Sequence, residues 1–277
     1  MLTVSELKSL LRTQGLRLTK RLGQHHLIDG HMVRRIIERS RISTDDTVVE
    51  IGAGLGALTD ELAQRAGRVI AVEVDARVAA LLAARMQDQR NVTVLCEDIL
   101  GFSWDRLGDV VVVGAIPYHI TSPIVVSLCE ARHAIRRVIL ILQHEVAQRL
   151  LAGPGTKAYG RLSVLGRYCW EITSLFPVPR SAFFPQPEVD SHCLELTRRA
   201  HPPVGVERED VFFEVVKAAF SHRRKTLVNC LSGEDGLASR EHAEAAVKQL
   251  GLPAAIRGEM LSLDQFAALT RLLDHPN

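Results

Sequence analysis

A glycine-rich turn is the first segment of this 277-residue chain whose residue types suit ligand binding. The turn Glu50-Ile-Gly52-Ala-Gly54-Leu-Gly56 follows a short apolar run of β-branched residues and precedes a helix-forming stretch. Glycines permit positive φ angles and let a ligand approach the backbone, and a helix N-terminus offers free N–H groups to an anion. Many nucleotide-binding turns share this pattern, so it indicates a class of ligand rather than one ligand.

Two acidic residues follow the turn at the ends of later strands. Glu73 lies about 20 residues past the turn, where a carboxylate can accept hydrogen bonds from both hydroxyls of a ribose. Asp98 follows the next strand and can accept from the exocyclic amine of an adenine. The GxGxG spacing differs from the GxGxxG fingerprint of NAD enzymes and favours S-adenosylmethionine, whose carboxylate can use the same turn. An NAD-dependent enzyme, or two solvated strand-end acids, remain the alternatives.

A third motif ends the fourth predicted strand, in Gly114-Ala115-Ile116-Pro117-Tyr118. Open α/β sheets bind their ligands outside the carboxyl ends of the strands. An aromatic residue after proline at such an end is therefore a candidate for ligand contact, although core packing is the alternative for any single aromatic residue.

These motifs lie on a repeated strand–helix pattern that predicts a Rossmann-like α/β fold with a parallel sheet covered on both faces. The predicted strands are 47–51, 68–73, 92–96, 110–113 and 138–142, and the predicted helices between them are 58–66, 76–87 and 123–132. After a polar, proline-containing connector at 198–203, only helical periodicity remains, at 211–220, 223–230, 240–250 and 263–273. We therefore expect an α/β domain over residues 1–199 with a basic N-terminal arm, and a small all-helical domain over 200–277.

Composition restricts the class of protein. The chain is 47% hydrophobic and 24% charged, as in ordinary globular proteins. Its longest apolar runs are far shorter than the roughly 20 residues that span a bilayer, and its N-terminus does not resemble a secretory signal. Five scattered cysteines without a CxxC pair indicate reduced, mostly buried thiols and a cytoplasmic protein. We expect no metal site, because the eleven histidines are dispersed and the His25-His26 pair has no further ligands at suitable spacing.

The net charge of +2 conceals two basic segments. Residues 1–21 contain five Lys or Arg side chains against one acid, and His222-Arg223-Arg224-Lys225 is a compact second cluster. Such clusters often form only a solvated surface, but two of them around a near-neutral middle favour a polyanionic partner. The candidate RNA-binding residues are Lys20, Arg21, Arg223, Arg224 and Lys225, with Arg198 and Arg199 of the connector as further candidates.

Several motifs together resemble the KsgA/RsmA-type small-subunit ribosomal RNA adenine dimethyltransferases. Besides the three motifs above, the matching segments are Gly23-Gln-His-His-Leu27, Gln143-His-Glu-Val-Ala-Gln-Arg149, Gly160-Arg-Leu-Ser163, Phe183-Phe-Pro-Gln-Pro-Glu-Val-Asp-Ser191 and Phe220-Ser-His-Arg-Arg-Lys-Thr-Leu227. They occur in the family's order from about residue 20 to 230. The last two segments favour this family over the erythromycin-resistance methylases, which share its fold.

The resemblance implies an S-adenosylmethionine-dependent methyltransferase of ribosome biogenesis, acting in the cytoplasm as a monomer on the 30S pre-ribosomal subunit. Its substrate would be two adjacent adenines in a hairpin loop near the 3′ end of small-subunit (16S) ribosomal RNA, each receiving two methyl groups on N6. The implied cofactor-binding residues are His25, Leu27, Gly52, Gly54, Glu73, Asp98 and Ala115. The implied catalytic residues are Ala115, Ile116, Pro117, Tyr118 and Phe183, with the two aromatic rings as stacking platforms for a flipped base.

Two positions depart from the family pattern. The family has Asn where this chain has Ala115, and the lost amide oxygen is an acceptor for the N6 hydrogens of the target adenine. Three explanations compete. The chain is a natural variant that works more slowly or recruits another acceptor, with His119 the nearest polar neighbour; it carries a substitution engineered to trap a complex; or it is an rRNA-binding assembly factor without catalysis. The second departure is His26, where the family usually has Phe, and it concerns local packing more than chemistry.

Overall fold

The computed structural model describes residues 2–15, 25–105, 107–117, 120–233 and 236–274. The strands are β1 (His26–Leu27), β2 (Thr47–Ile51), β3 (Arg68–Glu73), β4 (Val92–Cys96), β5 (Val110–Ala115), β6 (Ile135–Gln143), β7 (Trp170–Val178), β8 (Phe183–Phe184) and β9 (Ser191–Arg198). The helices are α1 (Val4–Thr13), α2 (Gly30–Ser40), α3 (Thr59–Ala63), α4 (Ala76–Arg85), α5 (Thr121–Glu130), α6 (His144–Leu151), α7 (Arg161–Cys169), α8 (Glu209–Ala219), α9 (Leu227–Leu231), α10 (Arg240–Gln249) and α11 (Leu263–Asp274).

The main sheet has seven strands in the order β4-β3-β2-β5-β6-β9-β7. The five strands from β4 to β6 pair in parallel, and β9 pairs antiparallel with β6. The predicted Rossmann-like α/β class is therefore confirmed. The strand order reverses between β2 and β5, and this reversal opens a crevice at the carboxyl ends of the strands, where such sheets bind ligands.

The central strands β2 and β5 consist mainly of apolar β-branched residues. Val48 and Val49 of β2 and Val111 and Val112 of β5 are fully buried, as expected for parallel strands covered on both faces. A capping side chain determines where helix α4 begins. Asp75 caps α4 by accepting hydrogen bonds from the backbone N–H groups of the first turn, so β3 turns into the helix immediately after Glu73.

The chain forms two compact units. The first comprises Met1–Ala147 and Glu171–Arg198, and the second comprises Gln148–Trp170 and Arg199–Asn277. The expected boundary at 199/200 lies next to the observed boundary between Arg198 and Arg199. The second unit also includes the earlier segment Gln148–Trp170, which contains α7. Side chains explain this difference, because Tyr168 of α7 packs its ring against Phe212 of α8 and its hydroxyl donates to Glu209 (2.8 Å).

The C-terminal part of the second unit is helical in its described residues, as expected from the sequence. The predicted helix at 223–230 is the exception, because α9 begins only at Leu227, after the N-cap Thr226. The basic cluster 222–225 therefore lies in the turn between α8 and α9 rather than on a helix. Within the described residues, every helix is too short or too polar to cross a membrane.

Candidate active site

The glycine turn lies at the carboxyl end of β2 and is hydrogen-bonded to β3. The N–H groups of Gly52 and Ala53 both donate to the carbonyl of Val72 (2.9 and 3.1 Å). Gly52 and Gly54 have φ angles of 68° and 56°, in the left-handed region that glycine adopts without strain. The following helix, α3, has only five residues, so the turn's own backbone rather than a long helix N-terminus faces the crevice.

Glu73 connects the end of β3 to the glycine turn. One carboxylate oxygen accepts from the N–H of Gly54 (2.9 Å) and the other accepts from the N–H of Asp75 (3.0 Å). Burial raises the pKa of Glu73, and the hydrogen bonds from Asp75 and Gly54 oppose that rise. Two ordered N–H donors therefore hold a largely buried carboxylate in one orientation at the wall of the crevice.

Asp98 lies beyond the end of β4 and is exposed. Its carboxylate accepts from the N–H of Leu100 (3.0 Å) and caps a 3₁₀ turn over Ile99–Gly101. The structure thus brings together the two acids that the sequence identified, because both follow adjacent parallel strands whose ends meet at one edge of the sheet.

A pocket with about 740 Å³ of open space, its solvent-facing mouth included, lies at this edge. The lining residues are His25, His26, Ile51, Gly52, Gly54, Val72, Glu73, Val74, Glu97, Asp98, Ile99, Ala115, Pro117 and Ile120. Six of the seven predicted cofactor-binding residues therefore line one pocket together with Pro117 of the third motif, namely His25, Gly52, Gly54, Glu73, Asp98 and Ala115.

The end of β5 forms the wall opposite the acids. Ala115 pairs in register with Ile141 of β6, and Ile116 donates its N–H to the carbonyl of Ile141 (3.0 Å). The carbonyl of Ala115 lies 3.8 Å from the position that a Cβ on Gly52 would take. Ala115 and Pro117 line the pocket, whereas the side chain of Ile116 is buried in the core. Tyr118 and His119 lie outside the described residues.

A two-stranded ribbon contributes His26 to the pocket, with His26 of β1 opposite Phe184 of β8 and Leu27 opposite Phe183. Side chains of directly opposed residues lie on the same face, and the faces alternate along each strand. Leu27 and Phe183 belong to the main core, each 5% exposed, and neither lines the pocket. The expected stacking role of Phe183 is therefore not supported by its position, since strand alternation turns its ring into the core.

No role was predicted for Glu50, although the residue belongs to the glycine motif. Glu50 is buried on β2 and accepts a hydrogen bond from the hydroxyl of Thr59 in α3 (2.6 Å). Burial raises its pKa to about 8, helped by the charges of Asp60 and Glu73 and opposed by the Thr59 hydrogen bond. A strand-end acid with a hydroxyl nine residues later is the only sequence signal for this pair.

The raised pKa makes stability depend on pH. The folded protein keeps the Glu50 proton up to about pH 8, whereas the unfolded chain loses it near its ordinary value of 4.5. The associated stability is complete below that value, and about 5 kcal/mol of it is lost as the pH rises from there through the folded pKa. We expect Glu50→Gln, which keeps an acceptor for Thr59, to raise the melting temperature at pH 8 much more than at pH 5.

Thermal melts of both proteins at the two pH values check this expectation. The matched control is Glu38→Gln on the exposed face of α2, which should shift neither melting temperature. An equal effect of Glu50→Gln at both pH values would contradict the assignment of a proton to Glu50.

The candidate RNA-binding residues differ in their surroundings. Arg223, Arg224 and Lys225 are all exposed, but Arg223 also donates to the carbonyl of Lys157 (2.6 Å) and lies 3.7 Å from the carboxylate of Glu259. Arg199 donates to two carbonyls of α7 and β7. In the connector, Arg198 donates to the carbonyl of His133 and pairs with Asp109. Lys20 and Arg21 lie outside the described residues.

The connector arginines therefore bond to other parts of the fold, and Arg224 and Lys225 are exposed cations of the basic cluster. The described residues also contain no group of three or more His, Cys, Asp or Glu side chains with the geometry of a metal site.

Comparisons with known proteins match most of the chain. The profile of the ribosomal RNA adenine dimethylase family matches residues 15–274. The ribosomal RNA small subunit methyltransferase A of Geobacillus thermodenitrificans is 41% identical, and the alignment covers 98% of this chain and 96% of that protein. The protein of the same name from Moorella thermoacetica is 43% identical, with 96% of each chain covered.

Among solved structures, a dimethyladenosine transferase from Plasmodium falciparum superposes with a TM-score of 0.74. The sequence identity of the two chains is 25%, and the match covers 88% of this chain and 96% of the other. The likeness therefore extends over the fold of nearly the whole chain.

Proposed function

The chain belongs to the ribosomal RNA adenine dimethylase family, and from this premise we propose that it uses S-adenosylmethionine to dimethylate N6 of two adjacent adenosines. These adenosines lie in a hairpin loop near the 3′ end of small-subunit ribosomal RNA, within the 30S pre-ribosomal subunit in the cytoplasm. The observation that carries the proposal is the single pocket that joins the glycine turn, Glu73, Asp98 and the end of β5 in a chain of this family.

The residues of the pocket suit this cofactor. Glu73 is the partner for the two ribose hydroxyls, and Asp98 is the partner for the adenine amine. A carboxylate has about four lone-pair sites, so Glu73 can accept two further hydrogen bonds while it keeps those from Gly54 and Asp75. Gly52 and Gly54 leave open backbone for the amino-acid end, and His25 borders the same space.

The bound sulfonium supplies an activated methyl group, so the chain's own residues need only position the acceptor and exclude water. The N6 lone pair of adenine is delocalised into the ring, and acceptors for the two N6 hydrogens favour the geometry of attack. At the end of β5 the available acceptors are backbone carbonyls, such as that of Ile116, because Ala115 has no polar side-chain atom. We assign stacking of the flipped base to Tyr118, and loss of the N6 proton to water.

The test is a methylation assay on the intact chain. Undermethylated 30S subunits are incubated with the protein and methyl-labelled S-adenosylmethionine, and the RNA is digested to nucleosides. We expect labelled N6,N6-dimethyladenosine. Absence of any methylated adenosine, while calorimetry shows intact cofactor binding, would exclude the enzymatic proposal for this chain.

Ala115 supports a second candidate function, that of an assembly factor that binds the small subunit without catalysis. This candidate predicts salt-sensitive binding to 30S subunits and no methylated product. The same assay, run beside a filter-binding measurement, separates the two functions.

We further propose that the second unit contacts RNA phosphates through Arg224 and Lys225. We expect the double variant Arg224→Ala/Lys225→Ala to weaken binding to 30S subunits and to reduce the slope of log K against log salt by about 1–2, since each lost phosphate contact contributes about 0.9. Binding titrations at several salt concentrations check this result.

The matched control is Lys217→Ala/Lys248→Ala, which removes two other exposed cations from the helical unit. An equal loss in both double variants would indicate a general charge effect, and no loss in either would exclude the cluster from the RNA contact.

A further inference from the structure

We propose that His26 is an additional cofactor-binding residue, whose imidazole hydrogen-bonds the amino-acid end of S-adenosylmethionine. This inference rests on the proposed function, because it assumes that the pocket takes this cofactor. It concerns a side chain whose departure from the family pattern was expected to affect local packing more than chemistry.

The position of His26 is determined by backbone pairing. Its strand β1 pairs with β8, and the opposed residue Phe184 packs with Leu55 and Leu7 beside the glycine turn. The imidazole consequently lies against Gly54: a Cβ built there would be 2.9 Å from both Cε1 and Nδ1 of His26. Because such contacts are closer than real Cβ atoms allow, glycine at position 54 makes room for this ring.

The ring has unused hydrogen-bonding capacity. His26 lines the pocket, its Nε2 is buried, and the ring makes no hydrogen bond with the described residues. The neighbouring His25 differs, since its Nδ1 donates to the carbonyl of Pro185 (2.6 Å). A buried polar atom without a partner is costly, whereas a phenyl ring would occupy this space without that cost.

The protonation state of the ring fits an uncharged hydrogen-bonding role. Burial, and to a smaller extent the charge of His25, lowers the pKa of His26 to about 4. The imidazole is therefore neutral at physiological pH. A neutral imidazole has one N–H donor and one acceptor nitrogen, and both suit an amino acid with its carboxylate and ammonium groups.

The direction of the pocket indicates which part of the ligand His26 meets. Glu73 and Asp98, the partners of the ribose and the adenine, follow β3 and β4 at one end. The order β4-β3-β2 continues to the glycine turn after β2, where Gly54 contacts the His26 ring. A ligand with its adenosine over β3 and β4 therefore extends its remaining part, the amino acid, over the turn towards His26.

The experiment compares two ligands on the full chain by calorimetry. S-adenosylhomocysteine contains the amino-acid end, and 5′-methylthioadenosine lacks it. For His26→Phe we expect the affinity for S-adenosylhomocysteine to fall about 10-fold, the effect of one hydrogen bond to a charged group. The affinity for 5′-methylthioadenosine should stay within about 2-fold.

The control His31→Phe, on the exposed start of α2, should change neither affinity. An unchanged affinity for S-adenosylhomocysteine in His26→Phe, or an equal loss for both ligands, would overturn the proposal. His26→Asn, which keeps a donor and an acceptor, should recover part of the loss. If it instead binds as weakly as His26→Phe while its melting temperature is normal, the hydrogen bond is also refuted.

These outcomes are distinct from failure of the proposed function. A protein that binds S-adenosylhomocysteine but does not methylate 30S subunits would refute the RNA chemistry and still measure the role of His26. A protein that binds neither ligand would refute the cofactor proposal and the role of His26 together.

Discussion

Ala115→Asn should raise the methylation rate on undermethylated 30S subunits by about 10²-fold. Removal of one preorganised hydrogen-bonding partner from an active site typically lowers the rate by 10²–10³, and this substitution adds such a partner. Ala115 lines the pocket at the end of β5, and its pairing with Ile141 holds the backbone in place. An amide there gains an oxygen that can accept an N6 hydrogen of the target adenine.

Single-turnover rates with saturating cofactor measure this effect. The matched control is Ala115→Leu, which adds similar volume without an acceptor and should give no increase. If Ala115→Asn leaves the rate unchanged while Ala115 itself is active, another acceptor already fulfils the role. If neither protein methylates RNA, the binding-only function is favoured.

The central strands could be predicted because their signal is local. The runs at 47–51, 68–73 and 92–96 coincide with β2, β3 and β4, since apolar β-branched residues in short runs have few alternatives to a buried strand. Strand β6 is longer than predicted because Arg136 and Arg137 extend it. Arg136 pairs with Asp46, which makes a charged residue compatible with a strand end.

The ribbon of β1 and β8 could not be predicted in this way. Each strand has only two residues, and its structure depends on a partner more than 150 positions away. The side-chain faces of Leu27 and Phe183 follow from that pairing alone. Because the pairing could not be predicted, Phe183 was expected at the pocket, but its ring lies in the core. His26 was expected to affect mainly local packing, but it lines the pocket.

The site acids were easier to predict than the site as a whole. Glu73 and Asp98 follow predicted parallel strands, and topology alone brings such residues to one edge. The buried state of Glu50 depends on tertiary packing around β2 and on the hydrogen bond from Thr59, and the spacing of the two residues does not by itself indicate burial. Whether a basic side chain is engaged within the fold depends on ion pairs such as that of Arg198 with Asp109, which a basic sequence motif does not indicate.

Glu73→Gln should weaken the binding of S-adenosylhomocysteine about 100-fold. The carboxylate offers acceptors to two ribose hydroxyls, and hydrogen bonds to a charged group are stronger than those to a neutral one. Gln keeps one oxygen for the backbone N–H groups of Gly54 and Asp75 but replaces the other acceptor by a donor. One of the two backbone N–H groups, that of Gly54 or that of Asp75, then loses its acceptor. The melting temperature should therefore also fall by a few degrees.

Calorimetry at a temperature well below unfolding separates these two effects. The control is Glu97→Gln, which makes the same change of charge at an exposed residue lining the same pocket and should alter the affinity less than about 3-fold. A similar loss in both variants would mean that the negative potential of the pocket, rather than the oriented carboxylate of Glu73, holds the ligand. A loss confined to Glu73→Gln follows from geometry, because Gly54 and Asp75 orient only that carboxylate at the end of β3.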